Sequence, residues 1–100
     1  MQLQIRSPHI KIEDRLFDLI QSRIESLSRK YDPKGKWQLT LQLEEKAKLG
    51  HCLMHAKIEL PQKTLFASSQ AGTFELALSE LVAELEQQLH HYSGKKSMRL

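Results

Sequence analysis

His51, Cys52 and His55 spell the His-Cys-x-x-His order of a metal set, and few other residues in this 100-residue chain are of a type that could do chemistry. The alternating pattern around them predicts a strand, on which His51 and His55 stand ~13 Å apart and Cys52 points to the opposite face. Ligands so placed cannot share a zinc ion at bond lengths of ~2 Å, so no metal is expected and Cys52 reads as a small core residue. His90 and His91 fall on a predicted helix, diverge by about 100° and lack a third ligand. Titration below pH ~6.5 beside Lys and Arg suits them better. Ser7, Thr64, Ser68 and Ser69 show no base-and-acid arrangement for nucleophilic catalysis, and no phosphate-binding glycine loop occurs. Neither an enzyme nor a cofactor is expected. Trp37 and Phe66 are of the type that stacks on unpaired bases. Trp37 shares the parity of Leu39 and belongs to the core, whereas Phe66 has the outward parity. Phe17, off the main helical stripe, joins Phe66 and Leu53 as a candidate exposed apolar patch.

Composition bounds what can position these residues. A chain of 100 residues, 40% hydrophobic and 27% charged, supports one modest core and one domain. The single cysteine cannot form an internal disulfide, no apolar run approaches the ~18 residues of a membrane span, and the first residues lack a secretory pattern. A cytoplasmic protein without membrane contact is expected. The net charge of +3 favours an anionic partner only weakly, so the placement of charge matters more than its sum.

Leu3 and Ile5 alternate with Gln2, Gln4 and Arg6, predicting a half-buried strand that Ser7-Pro8-His9 ends. After Glu13 and Asp14, a candidate cap, Leu16, Leu19, Ile20, Ile24, Leu27 and Tyr31 follow helical steps over about five turns, stopped by Asp32-Pro33-Lys34-Gly35. Trp37, Leu39, Leu41 and Leu43 give a clean two-residue period. A charged turn over residues 44–50 leads to a partner strand with Cys52, Met54, Ala56, Ile58 and Leu60 on one face and His55, Lys57 and Glu59 on the other. A third antiparallel strand follows, with Leu65 and Ala67 inward. From a capping Thr73, the residues Phe74, Ala77, Leu78, Leu81, Leu85, Leu89 and Tyr92 form a second helical stripe that Gly94 ends. Residues 1–93 thus read as a single α+β domain and 94–100 as a basic flexible tail. The order is a β-α-β-β-β-α two-layer sandwich, a four-stranded sheet with both helices on one face.

This order, the opening Met1-Gln2-Leu3-Gln4-Ile5, the first helix through Tyr31-Asp32, and Ala67-Ser68-Ser69-Gln70 before the last helix together resemble the ribosome hibernation-promoting factor and ribosome-associated inhibitor family in its short, single-domain form. The resemblance spans nearly the whole chain. It implies a fold like that of double-stranded-RNA-binding domains and a place on the small ribosomal subunit, in the channel of messenger and transfer RNA near the decoding centre. A protein there blocks translation and preserves idle ribosomes without catalysis. The implied chemistry is contact of Lys and Arg with ribosomal RNA phosphates, mostly from the two helices and the sequence after the last one.

One departure bears on that chemistry. Where the family carries Lys and Arg along the exposed side of the last helix, Glu84, Gln87 and His91 stand here. Between residues 73 and 92 there are four acids, Glu75, Glu80, Glu84 and Glu86, and no Lys or Arg. The rest of the chain, 15 basic residues against 8 acids, carries +7. Topology offers a compensation. Arg29, Lys30, Lys34, Lys36, Lys63, His90, His91, Lys95, Lys96 and Arg99 are all expected at one end of the sandwich, with Asp32 their only acid, and Arg23 matches a basic position of the family. All of these basic residues except His90 form the candidate RNA contact. Two other readings stand beside it: a protein-interaction module that lost RNA binding because its last helix is acidic, with a protein partner or self-association through that helix or the edge strand, and dispersed Lys and Arg that merely keep a small protein soluble.

Overall fold

The chain runs β1 (Gln2–Arg6), α1 (Asp14–Tyr31), β2 (Gln38–Lys46), β3 (His51–Glu59), β4 (Thr64–Ala71) and α2 (Phe74–Ser97). This computed structural model describes residues 1–97, with side chains described as far as residue 93. The sheet order is β1-β2-β3-β4, with β1 parallel to β2 and the other neighbours antiparallel. A parallel pair needs a crossover, which α1 supplies, while the antiparallel pairs are joined by short turns. The predicted architecture is the observed one.

The periods dictate the layers. In β2 and β3 the inward residues Leu39, Leu41, Leu43, Met54, Ala56 and Ile58 are buried, and they form one cluster with Leu16, Ile20, Ile24 and Leu27 of α1 and Ala77, Leu78, Leu81, Leu85 and Leu89 of α2. Both helices therefore cover the same face. Both also run in the same direction, because each returns from the far end of a strand parallel to β2. Lys30 in the last turn of α1 pairs with Glu86 halfway along α2, and Trp37, after α1, packs on Tyr92 further along it, as that direction requires. The helices begin differently. Thr73 Oγ1 accepts the Leu76 N–H at 3.1 Å, a side-chain cap for α2. Glu13 stands at the N-cap of α1 without any side-chain cap hydrogen bond, so the expected cap there is absent.

Three further differences from the sequence pattern have physical causes. The turn after β2 is shorter than 44–50: the strand continues to Lys46, a single 3-10 turn spans Ala47–Leu49, and Gly50 reverses the chain at φ +64°. Leu53, outward by parity, is buried at 9% exposure, flanked in register by the long side chains of Glu44 and Gln70. It is no part of an exposed patch with Phe17 and Phe66. Finally, α2 does not stop at Gly94 but stays helical to Ser97. One interior glycine costs a helix only about 1 kcal/mol, too little to force an end. Of the predicted tail, residues 98–100 lie outside the described residues.

Cys52 is buried in β3 with its Sγ 3.8 Å from the Gly72 carbonyl oxygen. Burial, with Glu45 and Glu75 nearby, pushes its thiol pKa up. The thiolate is the reactive form and burial blocks access to it, so the folded protein should react with a thiol-exchange reagent far more slowly than the unfolded chain. Comparing reaction rates in buffer and in denaturant checks this.

Candidate nucleic-acid interface

The basic end is organised by one acid. Asp32 closes α1, its N–H bonding to the Ser28 carbonyl at 2.8 Å. Its carboxylate is 5% exposed and turns back on the chain that follows. Oδ1 accepts the Lys36 N–H at 3.1 Å, Oδ2 accepts the Trp37 N–H at 2.9 Å, and the Met1 ammonium lies 3.1 Å from Oδ2. The Gly35 N–H bonds to the Asp32 carbonyl at 2.9 Å, with Gly35 at φ +65°, a conformation glycine adopts without strain. Burial pushes the Asp32 carboxyl up, but the two backbone N–H groups and the ammonium outweigh it and hold the group below the usual carboxylate range. Asp32 is thus already neutralised by its partners. The turn it fixes carries Lys34 and Lys36 into solvent, and Trp37 packs edge-on against Tyr92 of α2, 6.2 Å between ring centres. Trp37 serves the core and is not free to stack on a base.

The predicted site residues divide into three groups. Lys34 and Lys36 in the first turn and Lys63 in the turn before β4 share this end, are exposed, and among the described residues have no carboxylate partner. A second group is engaged or displaced. Lys30 Nζ lies 2.5 Å from Glu86 Oε1, which also accepts the Tyr31 hydroxyl at 2.7 Å. These hydrogen bonds hold the Glu86 carboxyl below its usual value, and the Glu86 bond holds Lys30 above its own. Arg29 sits 3.8 Å from Glu25, an exposed pair whose net worth is small. Arg23 lies two turns up α1 from Tyr31, about 12 Å along the axis and away from the end. The third group is the last helix. His91 is exposed on α2. The side chains of Lys95 and Lys96, and all of Arg99, lie outside the described residues.

Asp32 is therefore not the only acid of this end. Glu86 reaches it from α2, and Glu59 reaches it at the end of β3, 3.4 Å from Lys57. Glu86 faces α1 rather than solvent, which leaves Glu75, Glu80 and Glu84 exposed on α2.

On the uncovered sheet face the structure joins residues that sequence reasoning kept apart. Ser68 Oγ lies 3.0 Å from His55 Nδ1, His55 Nε2 lies 3.6 Å from Glu44 Oε2, and Gln42 donates to Glu44 Oε1 at 2.9 Å. A base and an acid do line up behind Ser68, contrary to the sequence expectation. The legible signal was the cross-strand pairing of His55 with Ser68, which needs the register to be known. All members are open to water, outside the desolvated surroundings in which such a relay activates a hydroxyl. His51 Nδ1 is 2.7 Å from Gln70 Nε2. Among the described residues, no three His, Cys, Asp or Glu side chains are grouped to hold a metal ion, and no helix is long and apolar enough to cross a membrane.

Two solved structures share this fold. One is a ribosomal subunit interface protein from Coxiella burnetii, 18% identical, covering 94% of this chain and 99% of its own, with a TM-score of 0.79. The other is the N-terminal domain of Protein Y from Thermus thermophilus, also 18% identical, covering 92% and 99%, with a TM-score of 0.77. No curated protein sequence matches the chain. The family model described as "Sigma 54 modulation protein / S30EA ribosomal protein" matches residues 3–97. The match takes in both helices and all four strands, so the chain belongs to this family of ribosome-associated, non-enzymatic factors.

Proposed function

We propose that this protein binds the small ribosomal subunit near the decoding channel, in the cytoplasm, and silences translation in idle ribosomes through the basic end contacting ribosomal RNA. The observation that carries the reading is the Asp32-centred turn, which holds Lys34 and Lys36 clear of every described carboxylate at the end shared with Lys63. Unpaired ammonium groups on a fixed turn suit phosphate, because neutralising phosphates releases condensed counterions without breaking internal ion pairs. Family membership supports the ribosome as the source of that RNA. The acids of α2 do not defeat the reading: Glu86 is spent on Lys30 and Tyr31, and Glu75 and Glu80 stand in the first two turns of α2, at the far end of that helix.

Co-sedimentation with purified small subunits tests it. Binding is expected at low salt, with a steep fall as salt rises, together with inhibition of a reconstituted translation reaction at equal stoichiometry. Absence of binding at low salt rejects the proposal.

A further inference from the structure

The two faces of the sandwich differ in electrostatic character. The exposed side of α2 carries Glu75, Glu80 and Glu84 with no described Lys or Arg, and repels phosphate. The uncovered sheet face carries Arg6, Lys46 and Lys57 with two histidines, against only Glu44 and Glu59. Glu44 is held by Gln42 and His55, and Glu59 pairs with Lys57 at 3.4 Å in an exposed contact of small net worth that leaves the ammonium open to solvent. Arg6 and Lys46 have no carboxylate partner among the described residues. Of these two surfaces, the sheet face is the one that offers an anionic chain a favourable field.

The register arranges the face in rows. Gln4, Thr40, Lys57 and Phe66 stand side by side across the four strands, and Arg6, Gln42, His55 and Ser68 form the next row. Phe66 is 65% exposed, the most exposed large apolar residue described, and nothing in the fold uses its ring. Its backbone is nevertheless fixed, because Gln88 of α2 donates to its carbonyl oxygen at 2.9 Å. An exposed ring on a pinned strand, with a lysine directly cross-strand, combines a π-face for a base with a cation for the adjoining phosphate. From Ser68 to Arg6 is three strand spacings, ~14 Å, room for a short run of nucleotides crossing the strands. The side-chain amide of Gln4 offers a donor and an acceptor to base edges, while that of Gln70 is engaged by His51.

We propose that the open sheet face is a binding platform for single-stranded RNA, with Phe66 stacking on a base and Arg6 and Lys57 meeting phosphates. The inference rests on the reading that the protein works on RNA, and it adds a second, base-contacting surface to the phosphate-contacting end.

The test is fluorescence anisotropy with a labelled oligouridylate of about twelve nucleotides at low salt, using the whole chain. Phe66→Ala should weaken binding ~5- to 100-fold, the span that loss of one stacked base produces, and Arg6→Glu should weaken it and flatten its salt dependence, as loss of a phosphate contact does. Phe66→Leu should weaken it nearly as much, because it keeps an apolar side chain without a π-face. Lys34→Glu with Lys36→Glu should reduce ribosome co-sedimentation and should weaken oligonucleotide binding less than Phe66→Ala does. Oligouridylate binding that ignores Phe66 overturns the proposal, as does binding lost only in the lysine variant. Failure to bind oligouridylate while small-subunit binding persists overturns it too and leaves the ribosome reading intact. Phe66-dependent oligouridylate binding without any small-subunit binding upholds the platform and rejects the ribosome reading. A Phe66-dependent dimer by size exclusion with RNA affinity unchanged assigns the ring to a protein contact and overturns the proposal.

Discussion

Replacing Asp32 with alanine should lower the unfolding free energy by about 3 kcal/mol, at the lower end of what removing one member of a buried charged pair costs. The carboxylate is 5% exposed and serves the Lys36 and Trp37 N–H groups and the Met1 ammonium. Alanine leaves those donors without an acceptor in a part-buried site, and unsatisfied buried groups cost ~1–3 kcal/mol each. For a domain of this size the midpoint of thermal unfolding should fall by roughly 10–20 °C. Asp32→Asn keeps one acceptor oxygen and should cost about half as much. The pH dependence has a definite sign. The folded-state carboxyl lies below its ordinary value, so its contribution is complete above the unfolded value of about 3.9 and is lost as pH falls through the folded one. Urea titrations at pH 7 and pH 3 should show a large difference between wild type and Asp32→Ala at the first and a smaller one at the second. A loss below 1 kcal/mol at pH 7 would show that the backbone alone holds the turn.

Reversing two charges on that turn should act on binding rather than stability. Lys34→Glu combined with Lys36→Glu should reduce small-subunit affinity tenfold or more at ~0.1 M salt. It should also lower the slope of log affinity against log salt by roughly 1.4 to 1.8, the counterion release of two phosphate contacts. Both side chains are exposed, so the unfolding midpoint should stay nearly constant. Lys11→Glu combined with Arg15→Glu, two exposed residues around the start of α1 at the opposite end, changes net charge by the same amount and should change affinity less than threefold. Equal losses in the two variants would mean that only total charge matters and that the turn is no site.

Much of this was readable in advance because both periodicities are clean. Trp37, Leu39, Leu41 and Leu43 fix which face of the sheet is inward, and the stripes from Leu16 to Tyr31 and from Phe74 to Tyr92 fix which sides of the helices meet it. Direction then follows from connectivity, which brought Lys34, Lys36 and Lys63 to one end. Parity says nothing of how two helices are rotated against each other. The bridge from Glu86 to Lys30 and Tyr31 lies on the flanks of both stripes and depends on that rotation. Nor does parity measure cover: Leu53 is outward yet buried, and Ser68 meets His55 only because the β3–β4 register sets them opposite. The acid count of the last helix was legible, but the engagement of Glu86 was not.

Because α1 and α2 run the same way, the carbonyl-rich ends of both macrodipoles, each worth roughly half an electron charge, point toward the lysine-bearing turns. Among the described residues no helix N-terminus faces that way, so the proposed grip falls to ammonium groups on long, hydrated stems. If the lysine turns meet RNA as proposed, a contact made at arm's length against two opposing dipoles would tighten when ions are scarce and let go as they return, reversible by the ionic medium alone.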